Sequence, residues 1–341
     1  MSKQLAVIKG DGVGPELIRL AMDVMSATEP DLEMVVCDAG AEWWQANGGS
    51  SLIPEETWDA LSDADACFKG ATTTPSAVGA PKSVAVSIRQ TFELYANVRP
   101  IRTFPNTKCP LGEVDFVCMR EATEGMYFGQ EVDITPESSI AIRRITRGAS
   151  EKIAAYSFSE AMRRGWDTVV VIHKSNILRS TCGLFLASVH RVAQQFPHIA
   201  LWEYHVDNIA QQLIKNPQLF NHKVLMSTNL FMDIISEECS GLVGSIGLIY
   251  SANIGDQYAM FEAAHGSAPK YRGMDKVNPT ATILAGAWAL KYLGEGQCAD
   301  AIFKATEDVI SEGKYVTYDL GGSAKSSEMA QAIKSRAKAH L

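Results

Sequence analysis

Ser150–Asn176 reads SEKIAAYSFSEAMRRGWDTVVVIHKSN, and its pattern decides the fold class. Ser150 and Glu151 open a stretch in which Ile153, Ala154, Tyr156 and Ala161 recur at helical spacing. Gly165 stops it, and Thr168 to Ile172 follows as a strand that leads straight into His173-Lys174-Ser175-Asn176. The same order opens the chain. Leu5 to Ile8 has the character of a buried strand, and Pro15 to Met25 that of a helix, with Pro15 suited to its first position. Strands and helices alternating in this way predict an α/β fold with a substantially parallel sheet. Arg102–Gly112, with two prolines, an asparagine and a glycine, reads as a connection between subregions, and Gly-rich Gly241–Gly255 as the return. The acidic, weakly alternating Gly129–Ser138 is expected as an exposed hairpin.

Composition narrows the function. With 341 residues, 46% of them hydrophobic, the chain can bury a large core as two domains or one large α/β unit. A net charge of -8 opposes nucleic acid and anionic lipid at long range, so an anion site must be built locally from clustered Arg and Lys. The 7 cysteines are scattered without a C-x-x-C pair, which suggests free thiols in a reducing compartment. No apolar run approaches the roughly 20 residues of a membrane span, and Met1–Gly12 lacks a signal-peptide core. A cytoplasmic protein with no nucleic-acid or membrane partner is expected.

Gly10-Asp11-Gly12-Val13-Gly14 follows a strand and precedes a helix, as a dinucleotide fingerprint does, but its glycine spacing is wrong. It is read as a tight turn, with the cofactor placed elsewhere. Arg89, Arg99 and Arg120 lie close in sequence to Lys69 and Ser83. Helical spacing brings Ser83 and Arg89 together, and Arg120 ends the apolar run Phe116–Met119, where a strand end opens into a crevice. Arginine stays charged and grips a carboxylate through two bonds. The plain alternative is solvated surface arginines. Asp233 and Glu237 stand four apart, on one face of a helix, and Asp207 adds a third carboxylate after the strand-like Trp202–Val206. Hard oxygen donors suit Mg²⁺ or Mn²⁺, against the alternative of an acidic helix face in water. Lys174, sheltered at a strand end, suits a base, and Tyr127, beyond the Arg120 strand, suits a proton donor.

Together these segments resemble the β-decarboxylating dehydrogenase family of isocitrate, isopropylmalate and homoisocitrate dehydrogenases, over nearly the whole chain. The most specific stretch is Glu262-Ala263-Ala264-His265-Gly266-Ser267-Ala268-Pro269-Lys270-Tyr271 with Asp275-Lys276-Val277-Asn278-Pro279-Thr280, which is similar to the family's cofactor loop. Asn97-Val98-Arg99-Pro100, Arg120-Glu121, His173-Lys174-Ser175-Asn176 and Asn229 through Glu237 match in order. The resemblance implies an isocitrate/isopropylmalate dehydrogenase-like fold, distinct from the Rossmann fold. Residues 1–99 and 252–341 would form a large α/β cofactor-binding domain. Residues 100–251 would form a smaller α/β substrate and dimerisation domain with a clasp hairpin at 128–144.

The resemblance also implies roles. Ser83, Arg89, Arg99, Arg120 and Asn176 would hold the acid. Asp233 and Glu237 would bind Mg²⁺ or Mn²⁺ with Asp207 from the second subunit of a homodimer. Lys174, also from that subunit, would take the hydroxyl proton, and Tyr127 would protonate the enolate after CO₂ leaves. Thr74, Glu262, His265, Gly266, Ser267, Ala268, Lys270, Tyr271, Asn278 and Tyr318 would bind the cofactor. Lys270-Tyr271 replaces the acidic residue usual in NAD-using members, which implies NADP, with NAD the alternative. Tyr318 agrees, but Gly321-Gly322 stands where an arginine is expected. Ser83 and Lys69 fit isocitrate, converted to 2-oxoglutarate. Ala85 stands where isocitrate enzymes usually carry Asn, which keeps homoisocitrate, isopropylmalate and tartrate-like acids open. Glu237, one methylene longer than the usual Asp, and Ala85 also leave open a non-catalytic regulatory subunit.

Overall fold

The computed structural model describes residues 3–77 and 79–341. Its strands are β1 (Lys3–Ile8), β2 (Leu32–Cys37), β3 (Ala66–Lys69), β4 (Ala96–Arg102), β5 (Asp115–Glu121) and β6 (Gly125–Thr135), then β7 (Ser138–Arg144), β8 (Thr168–His173), β9 (Ala200–His205), β10 (Val224–Ser227), β11 (Tyr250–Ile254) and β12 (Ala259–Ala263). Ten of them form one sheet in the order β2-β1-β3-β12-β11-β4-β5-β10-β8-β9, with helices between.

Both ends of this sheet are parallel, as the alternation predicts. Its middle is antiparallel: β11 pairs in that sense with β12 and β4, and β4 with β5. Strands covered on both faces read as continuous apolar runs in either direction, so the sequence pattern carries no sign of this reversal. All six residues of β8 are buried. The helix before it starts at Arg147, ahead of the Ser150 expected, because the Thr146 hydroxyl accepts the Ala149 N–H at 3.3 Å and caps the first turn. It ends at Gly165, whose φ of 68° is the left-handed C-cap that glycine adopts without strain.

β6 and β7 stand apart as a two-stranded ribbon, the exposed hairpin expected around Gly129–Ser138. Val132, Ile134, Ile140 and Ile142 are all exposed on it. Among the described residues, no helix is long and apolar enough to cross a membrane. The antiparallel middle matters most for function. Its register sets Asn253 of β11, Asn97 of β4 and Arg120 of β5 directly opposite one another, a polar row across the sheet.

Candidate active site

Arg89, Arg99 and Arg120 are 6%, 6% and 3% exposed, so none is a solvated surface arginine. Alternation along β4 puts Asn97 and Arg99 on one face. Arg99 Nε donates to Asn97 Oδ1 at 2.9 Å, and Asn97 Nδ2 donates to Asn253 Oδ1 at 2.8 Å. The helix Val84–Thr91 sends Arg89 to the same asparagine at 2.7 Å and to Glu262 at 3.0 Å. Lys69, at the end of β3, meets the other oxygen of Glu262 at 2.9 Å. The result is a buried chain of polar groups running from Lys69 to the arginines.

Charges this deep are tolerable only when paired and hydrogen-bonded. Burial alone would push the Glu262 carboxyl up, but Lys69 and Arg89 overcome it and hold the group well below the usual carboxylate range. A depressed carboxylate stabilises the fold above its unfolded value and loses that contribution only as pH falls through the folded one. The Glu262 network should therefore be intact at neutral pH and fail only in strong acid. Glu262→Gln leaves two buried cations short of an anion, with an expected cost of about 3–5 kcal/mol. A thermal melt at neutral pH checks this, and an unchanged midpoint would remove Glu262 from the structural account.

The helix Asn229–Leu242 carries Asp233 and Glu237 to the other end of the chain of polar groups. Arg120 bonds Asp233 through Nη1 and Asn229 Oδ1 through Nε at 2.9 Å. Arg99 bonds Glu237 at 2.6 Å and Ser236 at 3.0 Å. The Tyr127 hydroxyl donates to the second oxygen of Asp233. Burial and the neighbouring Arg89 draw the Arg120 guanidinium down to about 10, against the pull of Asp233. Burial and the bond to Asp233 push the Tyr127 phenol up.

Ser83 caps the Val84–Thr91 helix half-buried, without a side-chain bond to it, and Ala85 lies one residue inside. Asn176 is exposed and lies outside this cluster of bonds. Lys174 and Asp207 pair with each other, and the lysine holds the Asp207 carboxyl below its usual range. Neither reaches Arg120, Tyr127, Asp233 or Glu237 among the described contacts. One chain thus gathers two of the three expected carboxylates and one of the two proton-handling groups. Among the described residues no cluster of three or more His, Cys, Asp or Glu is poised for a metal. The Asp233–Glu237 pair offers hard oxygens suited to a divalent ion, but only as half of a ligand set.

A second compartment of about 360 Å³ lies beside the Pro269–Tyr271 turn. His265, Gly266, Ala268, Tyr271, Asn278 and Tyr318 line it. The His265 ring nitrogen Nε2 is buried without a partner among the described residues, and burial pulls that imidazole down. The walls of this cavity are mostly apolar, and its size suits a heteroaromatic ligand. Ser267 bonds Thr73, and Asn278 is tied to Asp319 at 2.9 Å. Glu262 sits in the arginine network, away from this cavity, and Thr74 is exposed. Lys270 lies 4.9 Å over the Tyr271 ring, and Lys276 4.7 Å over Tyr318. The hydrogen bond from Tyr318 and the Lys270 charge pull the Tyr271 phenol down.

Sequence reading missed Lys276, Asp319 and Asn253. Lys276 lay inside the motif segment, but only the fold sets it over Tyr318. Gly10–Gly14, read as a plain turn, lies against the loop of this compartment: Val13 N–H donates to the Ser267 carbonyl at 2.9 Å.

A cluster of buried arginines suits an anionic ligand, and a separate apolar-walled cavity of about 360 Å³ suits a flat heterocycle. The isocitrate/isopropylmalate dehydrogenase family model matches residues 4–333, and the chain belongs to that family of decarboxylating hydroxy-acid dehydrogenases. It is 41% identical over 332 residues to the 3-isopropylmalate dehydrogenase of Methanothermobacter thermautotrophicus, covering 97% of this chain and 98% of the relative. It is 39% identical over 336 residues to the NADP isocitrate dehydrogenase of Thermus thermophilus, covering 97% of this chain and 67% of the relative. The crystal structure of isocitrate dehydrogenase from Methylococcus capsulatus superposes with a TM-score of 0.93 at 39% identity, covering 98% and 99% of the two chains. Relatives of both substrate classes stand at nearly equal distance, so identity alone does not select the acid.

Proposed function

We propose that the protein is a cytoplasmic, homodimeric, metal-dependent dehydrogenase that oxidises and decarboxylates isocitrate with NADP. The observation that carries this is the single buried network that joins three arginines, with Arg99 and Arg120 on the carboxylate-bearing helix and Arg89 linked to them through Asn253 and Asn97. Lys69 and Glu262 cancel, and a divalent ion would offset Asp233 and Glu237. Three guanidinium charges are then left for the acid, which favours a tricarboxylate. The Ser83 hydroxyl, without a partner among the described residues, supports the same choice. Ala85 favours a second reading: its small side chain leaves room for a longer or different 3-substituent, as in homoisocitrate. Turnover of isocitrate, homoisocitrate, isopropylmalate, malate and tartrate with Mn²⁺ separates the readings. Failure of all five acids would favour the non-catalytic subunit.

Asp233 and Glu237, completed by Asp207 of the second subunit, would hold Mg²⁺ or Mn²⁺. When bound, the ion supplies Lewis-acid stabilisation of negative charge on the acid's oxygen. The arginines orient the carboxylates, which turns an encounter into a fixed geometry. Lys174, supplied by the second subunit, would take the hydroxyl proton, and a bound nicotinamide would supply the hydride acceptor. Tyr127, its phenol kept protonated by burial, returns a proton to carbon after decarboxylation. The ribbon of β6 and β7, with its exposed Val132, Ile134, Ile140 and Ile142, would clasp the partner.

For the cofactor, Lys270, Tyr271, Tyr318 and Lys276 form a cationic rim at the 360 Å³ cavity. Lys276 would supply the charge missing at Gly321-Gly322 for the extra phosphate of NADP. Lys276→Ala should lower kcat/KM for NADP about tenfold and leave NAD almost unchanged. A wild-type preference for NAD would defeat the NADP assignment.

A further inference from the structure

We propose that Asp11, with Glu42 beside it, is a positioning residue for the dinucleotide: the pair fastens together the separate loops that would grip it. The inference rests on the reading of the loop through Ser267 and Tyr271 as cofactor-binding. Asp11 is 2% exposed, and no cation pairs with it among the described ion pairs. Three backbone N–H groups satisfy it instead. Oδ2 accepts from Ala41 at 3.0 Å and from Thr73 at 2.6 Å, and Oδ1 accepts from Glu42 at 2.8 Å. Its own N–H donates to the Ala71 carbonyl at 2.7 Å. One carboxylate thus binds the start of the helix Ala41–Asn47 to the loop at Thr73, 32 residues on from Ala41.

The third connection is fastened from the same turn. Val13 N–H holds the Ser267 carbonyl at 2.9 Å, while the hydroxyls of Thr73 and Ser267 meet at 2.6 Å. Glu42 closes the ring: Oε1 accepts the Gly12 N–H at 2.8 Å and Oε2 pairs with Arg272 at 2.9 Å. Two glycines make the approach possible. A Cβ on Gly12 would lie 2.1 Å from the Ser267 carbonyl oxygen, and one on Gly40 2.3 Å from Asp11 Oδ2. Asp11 itself faces neither cavity nor arginine cluster, so it acts through Thr73 and Ser267. Charge-assisted bonds to a buried carboxylate are the strong kind, and losing one leaves a buried donor unmet.

The test is Asp11→Asn in the full-length protein, an isosteric change that sets an NH₂ against backbone N–H groups. NADPH binding read by fluorescence titration should weaken about tenfold, the scale of one charge-assisted bond. The dinucleotide KM should rise in parallel, while the KM for isocitrate and Mn²⁺ binding stay within about twofold, a split that general loosening would not produce. A folded variant that binds NADPH like the wild type overturns the proposal. If Asp11→Asn does not fold, surface-lying Glu42→Gln decides. It keeps the acceptor for Gly12 and loses the Arg272 pair, so about threefold weaker NADPH binding is expected, and unchanged binding overturns the inference. Wild-type protein that binds neither NADPH nor NADH defeats the cofactor reading itself.

Discussion

Lys174→Met should lower kcat by about 10²–10⁴-fold, the range for a lost general base, while the protein stays folded. The side chain is partly exposed and, among the described residues, pairs only with Asp207, so its removal disturbs no core. The more telling result comes from mixing. Lys174 lies outside its own chain's cluster of Arg120, Tyr127 and Asp233. If it serves the other subunit, a dimer of one Lys174→Met chain and one Tyr127→Phe chain has one complete site and one doubly damaged site. Unfolding and refolding an equal mixture of the two inactive proteins should then restore about one quarter of wild-type activity. No restoration, with hybrid dimers shown by mass, would place Lys174 in its own chain's site.

Asp233→Asn should weaken Mn²⁺ binding by at least about 100-fold, the upper end of the loss caused by removing an outer-shell partner. Titration of Mn²⁺ followed by its EPR signal reads this without turnover. Asp233 is joined by Arg120 and Tyr127, with Arg99 at 3.8 Å, so its charge also balances two buried arginines. The neutral amide leaves Arg120 only Asn229 as a firm partner, and a lower melting temperature is expected alongside. Glu237 holds Arg99 and is more exposed, so Glu237→Gln should cost less. Mn²⁺ affinity unchanged in Asp233→Asn would take this residue out of the ligand set.

Much of this was legible in the sequence. The helix, glycine and strand of Ser150–Asn176 announced the α/β fold because period and punctuation are local properties. Asp233 and Glu237 share a face because a helix dictates it. The arginines were visible as candidates, but their depth was not, since burial depends on which strands lie beside β4 and β5. The antiparallel middle of the sheet, which sets Asn253, Asn97 and Arg120 in a row, leaves no mark on apolar runs. Gly10–Gly14 was read as a tight turn, and the structure adds to that reading its contacts with distant loops. Its glycines serve close approach to the Ser267 carbonyl and the Ala71 carbonyl, contacts made with residues far along the chain. Lys174 and Asp207 were assigned to a second subunit by the family resemblance alone; the structure pairs them with each other, apart from Arg120, Tyr127 and Asp233.

The strand order has a consequence for how the protein is made. β12 lies between β3 and β11, and β11 separates β12 from β4, so β3 and β4 each gain their second neighbour only after Tyr250–Ala263 has been synthesised. The block of β5, β10, β8 and β9 is complete by Ser227. On the ribosome this block, with β4 on β5, can close first, while β3 and β4 each keep one unpaired edge for more than a hundred residues of further translation. That waiting edge is where a chaperone would be most needed, and where a slowed ribosome or a truncated transcript would leave the nascent chain most prone to aggregate.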